Sequence, residues 1–215
     1  MKSGVLTMGE GLGIIRARDV GSLATANEMV LGTGGAEANV AIGLARLGTA
    51  ATWLGCVGDD PIGARVTREL RAEGVEVVAR VDRDASTGVI IKSTPSVGRT
   101  HVMPYRTGSA GSRLEVDDLD LVDVSRYAVV HVTGITPALS PSAAAAVAEL
   151  MSRAREAGVL VSVDVNHRSR LWATVTKPCF RTSPWSQPLT SSSPVRTKPH
   201  CWSDRPPTPL TWPID

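Results

Sequence analysis

Two stretches of this chain are punctuated in the same way, and that shared device constrains the fold more than any other feature. Asp60 precedes Pro61, the apolar residues Ile62, Val66 and Leu70 recur on one helical face, and Gly74 follows. An acidic cap, a proline whose fixed φ suits the first turn and a glycine that closes the last turn together predict a helix. Ser140, Pro141 and Gly158 frame a second, alanine-rich helix, with Val147, Leu150, Met151 and Ala154 available to pack. A third is expected to begin near Ala36, with Val40, Leu44 and Leu47 on its buried face and Gly48 as its stop. Between these lie the short apolar runs Ala51 to Val57, Ala128 to Val132 and Val159 to Val165. Their length and lack of polar alternation predict strands buried on both faces. Strands alternating with helices give an α/β fold with a largely parallel sheet.

Two further segments fall outside that layer. Thr87 to Lys92 and Arg99 to Tyr105 read as extended, separated by a turn around Pro95 and Gly98, and predict a hairpin with one solvated face. The region Gly13 to Leu31 is expected to add strands to the same small flap, which then comprises residues of about 13–31 and 86–105.

Composition changes abruptly along the chain. All 20 glycines precede Trp172, whereas nine of the 14 prolines follow it. Residues 173–215 carry no period of 2 or 3.6, and their prolines recur too often for a helix or a central strand. An unrelated, disordered or irregular tail is therefore expected after a folded portion spanning 1–172. A shift of reading frame near Trp172 is one origin for so sharp a change, and translation of the underlying gene in the other two frames tests it. The formal charge of +2 gives no electrostatic case for nucleic acid, and no apolar run approaches the length needed to cross a bilayer, so a cytoplasmic protein is expected. Cys56, Cys179 and Cys201 are odd in number and include no close pair, which points away from a disulfide framework or a zinc site. Cys56 lies in an apolar run and reads as a buried thiol. No metal-ligand spacing links His101, His131 and His167, and the first two fall in strand-like runs that suit structural imidazoles.

The most informative motif is "GTGGAEANVAIGLARLG", Gly32 to Gly48. Glycines before a helix allow close backbone approach, and the free amides of the first turn favour oxygen-rich or anionic ligands. The cluster lacks the G-x-G-x-x-G spacing of a dinucleotide site, and no acidic ribose ligand follows about 20 residues later. Three other segments accompany it in order: "GCVGDDPIGARVTRELRAEGV" from Gly55, "YRTGSAGS" from Tyr105, and "GITPALSP" followed by "DVNHRSRLW" from Asp164. Together these resemble the ribokinase-like (PfkB) sugar kinases, and among them the 2-keto-3-deoxygluconate kinases, over about residues 4–172. Asn39 stands further from the glycine pair than in the family's general pattern, a spacing found in the ketodeoxygluconate kinase branch.

The resemblance implies a three-layer parallel-sheet core with a small β flap, truncated on its C-terminal side. It implies that Gly34, Gly35 and Asn39 line a sugar site, the structural alternative for Asn39 being a helix-start cap. By the same resemblance Arg106 and Arg168 face an acid-sugar carboxylate, to which a guanidinium donates two parallel hydrogen bonds. Tyr105 adjoins the site. Asp164 and Asn166 lie at a strand's C-terminal end, where ligands bind in open α/β sheets, their alternative role being to cap the turn. The best matches to the branch's sugar-contacting flap tyrosines are Ile90 and Pro104. ATP and Mg2+ are implied as cofactors, a small sugar or sugar acid as partner, and a homodimer through the flap, with no nucleic acid and no membrane. The family's G-A-G-D anion hole, which ends in the aspartate base, has no counterpart between Ala173 and Asp215. No catalytic residue is therefore assigned, the nucleotide site is expected to be largely missing, and phosphoryl transfer is expected to be incomplete. A non-catalytic sugar-acid binder or a dimerisation protein is the alternative.

Overall fold

The computed structural model describes residues 2–172. Its body is a five-stranded parallel sheet of β1 (Val5–Met8), β4 (Ala51–Gly58), β5 (Glu76–Asp82), β8 (Val129–Thr133) and β9 (Leu160–Asp164), in the order β5-β4-β1-β8-β9. The second sheet is the flap, with β2 (Leu12–Val20), β3 (Met29–Gly34), β6 (Val89–Ser96) and β7 (Arg99–Tyr105) in the order β3-β2-β6-β7. The helices are α1 (Ala36–Arg46), α2 (Pro61–Ala72), α3 (Pro141–Glu156) and the short α4 (Ser169–Trp172). The expected disorder or irregular coil of 173–215 lies outside the described residues.

Strand alternation divides the core into two layers. On β4, Trp53 points to one face and packs with Ala38 and Ala41 of α1 and Val66 and Leu70 of α2. Its neighbour Leu54 points the other way, joining Leu6, Met8, Val130 and Val132 beneath Val147, Leu150, Met151 and Ala154 of α3. Helices thus cover both faces, as parallel strands require. Cys56 is buried beside Ala110, Leu114 and Ala143, and burial pushes its thiol up to about 12, which leaves it unreactive.

The predicted punctuation is present. The Asp60 carboxylate accepts from the Gly63 amide at 2.8 Å, and Ser140 Oγ accepts from the Ala143 amide at 3.0 Å. The flap hairpin also forms, with Val89 facing Tyr105 and Ile90 facing Pro104 across antiparallel β6 and β7. Gly13 to Leu31 contributes β2 and β3.

Four details differ from expectation. Leu47 is 84% exposed and Val40 only half-buried; of the expected face, Leu44 does pack against the core, beside Ala38 and Ala41, whose small side chains let the helix backbone approach Trp53. Pro95 lies inside β6 beside an irregularity in the pairing, where its missing N–H is tolerated, and the turn is Val97–Gly98. Strand β9 is not buried on both faces: Leu160 is 70% and Val163 40% exposed, because β9 is the sheet's edge among the described residues. Asn39 does not cap α1. The cap position is Gly35, and Asn39 lies within the first turn with its amide donating to the Gly35 carbonyl at 2.9 Å.

Candidate sugar-binding site

The chain begins in the middle of its sheet. From β1 it reaches β4 and β5 on one side, then returns to place β8 and β9 on the other. The crevice outside the carboxyl ends of β1 and β8 is therefore the topological switch point, the usual ligand position in such sheets. Every candidate residue lies at that end of the molecule or at the junction with the flap.

Gly34 ends β3 and lies against Ile14 of β2, and Gly35 turns the chain into α1 with φ 151°, a conformation suited to glycine. A Cβ on Gly35 would stand 2.4 Å from the Glu10 carbonyl oxygen, so this turn presses directly on the loop after β1. Asn39 is exposed on the first turn of α1, whose leading amides have no acceptor within the helix. Tyr105 ends β7 and is exposed, while Arg106, the next residue, carries a side chain only 11% exposed. Its guanidinium Nη2 forms an ion pair with Glu10 Oε2, and its Nε is buried without a hydrogen-bond partner.

Asp164, Asn166 and Arg168 occupy the exit from β9. Asp164 Oδ1 accepts from the Asn166 amide at 3.0 Å, and Asn166 adopts φ 34°, so the turn-capping role considered for these residues is real. Arg168 is exposed, and its carbonyl accepts from the Leu171 amide at 2.9 Å. This exit is tied to the body through β8: Thr133 pairs with Asp164 in register, and the Gly134 amide donates to the Asp164 carbonyl at 2.9 Å. Gly35 and Arg106 thus converge on Glu10, with Gly34 adjoining them against Ile14, whereas Asp164, Asn166 and Arg168 form a separate group on the neighbouring strand end.

Two buried carboxylates hold these groups in place, and motif reasoning did not single out either. Glu37 on α1 accepts from the Thr133 and Thr136 hydroxyls, both at 2.7 Å, which fixes the helix start to the carboxyl end of β8. Glu10 accepts from the Ser109 hydroxyl in addition to pairing with Arg106. Burial raises the Glu10 carboxyl above the ordinary glutamate range; Arg106 and Ser109 pull it back, and the nearby Glu37 charge pushes it further up. The available signals were an acid flanked by glycines in "MGEGLG" and an acid inside the glycine motif itself.

His131 is buried on β8 with Nδ1 3.0 Å from Ser162 Oγ, and burial lowers its pKa from 6.5, against the opposing pull of Glu37 and Asp164. No group of three or more His, Cys, Asp or Glu able to hold a metal ion occurs among the described residues. The described residues contain no G-A-G-D segment. No helix among them is long and apolar enough to cross a membrane.

Comparison with known proteins identifies the family and agrees with the fold. A family model described as pfkB family carbohydrate kinase matches residues 9–184, extending past Trp172. The chain is 37% identical over 174 residues to the 2-dehydro-3-deoxygalactonokinase of Haloferax volcanii, covering 80% of this chain and 55% of that protein. It is also 37% identical over 174 residues to the 2-dehydro-3-deoxygluconokinase of Bacillus subtilis, covering 80% and 54%. Among solved structures, a PfkB protein from Polaromonas sp. JS666 superimposes with a TM-score of 0.75 at 35% identity, over 80% of this chain and 59% of that one. The fructokinase of Xylella fastidiosa with bound ATP gives a TM-score of 0.75 at 27% identity, over 84% and 57%. The chain spans about half the length of the curated relatives it matches.

Proposed function

Because the chain belongs to the PfkB family of carbohydrate kinases, we propose that it carries the sugar-recognising portion of a kinase acting on a sugar acid of the 2-keto-3-deoxygluconate type. The observation that carries this reading is Arg106. A guanidinium with unspent donors, held at the junction of flap and body beside the turn into α1, suits a carboxylate better than a neutral hydroxyl. Arg168, on the neighbouring strand end, supplies a second positive charge, while Gly34, Gly35 and Asn39 offer amides and a carboxamide to hydroxyl groups. The names of the two relatives described above favour the same substrate class.

Calorimetry with 2-keto-3-deoxygluconate and the neutral sugar fructose tests the substrate class. The acid should bind more tightly, and Arg168→Ala should lose about 10- to 100-fold in acid affinity, the cost of removing one partner from a charge-assisted pair of about 1.5 to 3 kcal/mol. Equal binding of acid and neutral sugar, unchanged in the variant, would refute it.

Binding without phosphorylation is the second half of the proposal. The sequence after Asp164 offers no G-A-G-D base and anion hole, and a general base alone contributes on the order of 10² to 10⁴ in rate. A coupled assay for ADP release, with a full-length homologue as positive control, should stay at background. Turnover near ~1 s⁻¹, the lower end for kinases, would overturn it.

A dimeric assembly is supported by the flap's two edges, which are unpaired among the described residues. Strand β3 exposes Met29, Val30 and Leu31, and β7 exposes Val102 and Tyr105. Apolar, unpaired edges favour association. Sedimentation of the wild type and Val102→Lys compares the two states directly; a wild-type monomer at high concentration would exclude the flap as an interface.

A further inference from the structure

Glu10 is 2% exposed and touches every connection between flap and body. It lies in the link from β1 to β2. The return from β3 to α1 presses on its carbonyl oxygen at Gly35, where a Cβ would stand 2.4 Å away. The link from β5 to β6 passes its carboxylate at Gly88, where a Cβ would stand 2.6 Å from Oε1. The exit from β7 wraps round the same side chain: Arg106 pairs with it, Ser109 donates to it, and a Cβ on Gly111 would stand 2.2 Å from Glu10 Cγ. Four crossings of the chain thus meet at one carboxylate.

A buried ion pair is a poor stabiliser, because desolvating two charges costs nearly what their attraction returns. Its better-attested value is to fix geometry. Arg106 has five N–H donors, Glu10 engages Nη2, and the buried Nε has no hydrogen-bond partner. The pair therefore immobilises the guanidinium without exhausting it.

We propose that Glu10 is the positioning residue for Arg106: it fixes the guanidinium at the flap junction so that the remaining donors meet a sugar-acid carboxylate, and so sets the preference for acids over neutral sugars. This rests on the sugar-acid reading above. A free arginine would spread its charge over many rotamers, whereas one anchored by Glu10 and Ser109 presents the same edge to each incoming ligand.

The test uses the whole 215-residue chain and calorimetry with 2-keto-3-deoxygluconate and fructose, on the wild type, Glu10→Gln, Arg106→Lys and the double variant. Glu10→Gln should lower acid affinity about tenfold and fructose affinity less than about twofold, with little further loss of acid affinity in the double variant. A purely structural role would lower the melting temperature and leave the acid-to-neutral ratio intact, and an unchanged ratio in Glu10→Gln overturns the proposal. If Glu10→Gln does not fold, Ser109→Ala is read in its place, with about a threefold loss of acid preference expected and no loss counting against the proposal. Failure of the wild type to prefer the acid would refute the parent reading, and this inference with it; a wild-type preference that survives Glu10→Gln refutes only this one.

Discussion

Glu37 and Thr133 are joined across the carboxyl end of the sheet: the Thr133 hydroxyl donates to Glu37 Oε1 at 2.7 Å, and neither residue reaches solvent. Thr136 donates to the same oxygen. Glu37→Ala would leave two buried hydroxyls without their acceptor, at a cost on the order of 3 kcal/mol. For a chain of this size that corresponds to a fall in Tm of roughly 6 to 12 °C. Glu37→Gln retains a carbonyl acceptor and should lose less than half as much. Thermal denaturation followed by circular dichroism measures both, and a loss below about 1 kcal/mol for Glu37→Ala would contradict the assigned role.

The turn at Gly35 makes a local prediction with an internal control. An alanine there meets both a strained φ and the Glu10 carbonyl, so Gly35→Ala should cost about 1 to 3 kcal/mol and weaken sugar binding at least tenfold. Gly32, three residues earlier, has open space where its Cβ would be. Gly32→Ala should stay within about 0.5 kcal/mol of the wild type. Chemical denaturation distinguishes the pair.

His131 gives the stability a pH dependence. Its folded pKa lies below the unfolded value, so the unfolded chain binds more protons. The contribution is complete above about pH 6.5 and declines as pH falls towards the depressed folded value. Tm should therefore fall on moderate acidification, and His131→Asn should flatten that limb. A later limb remains in the variant, because Asp60 is held below the ordinary aspartate range. Burial pushes that carboxyl up, but hydrogen bonds from Thr87 and Gly63 outweigh it. Stability from Asp60 is present above about pH 3.9 and is lost as pH drops through its lower folded value. Identical pH profiles for wild type and His131→Asn would rule out the histidine as the source.

The edge strand β9 predicts self-association. Leu160, Val163 and Val165 are exposed along an unpaired edge of the described sheet. Leu160→Glu should raise the concentration at which light scattering appears and reduce binding of a hydrophobic dye, while changing stability by no more than about 0.5 kcal/mol. A variant that scatters like the wild type would mean that this edge is covered in solution.

Capped helices were the most legible part of the sequence, since Asp60–Pro61 and Ser140–Pro141 are local devices that need no tertiary context. Strands β1 and β5 carried no such mark. Four residues between a polar N-terminus and a glycine-rich turn give too short a pattern for β1, and β5 alternates too weakly. Leu47 misled because periodicity alone does not reveal where a helix leaves its sheet; Ala38, Ala41 and Leu44 before it do the packing. At the candidate site, motif likeness pointed to Gly34, Gly35 and Arg106 but not to Glu10 or Glu37. Carboxylates buried by residues far away in sequence, such as Thr133 and Ser109, look like ordinary surface acids until the chain is folded.

The position of β1 also sets the order in which the molecule can assemble. Val5 pairs in register with Ala51 on one side and with Val129 on the other, so β1 stays unflanked until parts of the chain far downstream of it have emerged. Local helices can form early, but the axis of the sheet must wait through two long loop closures, a topology that slows folding. During that interval β1 is an orphan, and its availability to chaperones or to a second nascent copy ends only when β8 docks.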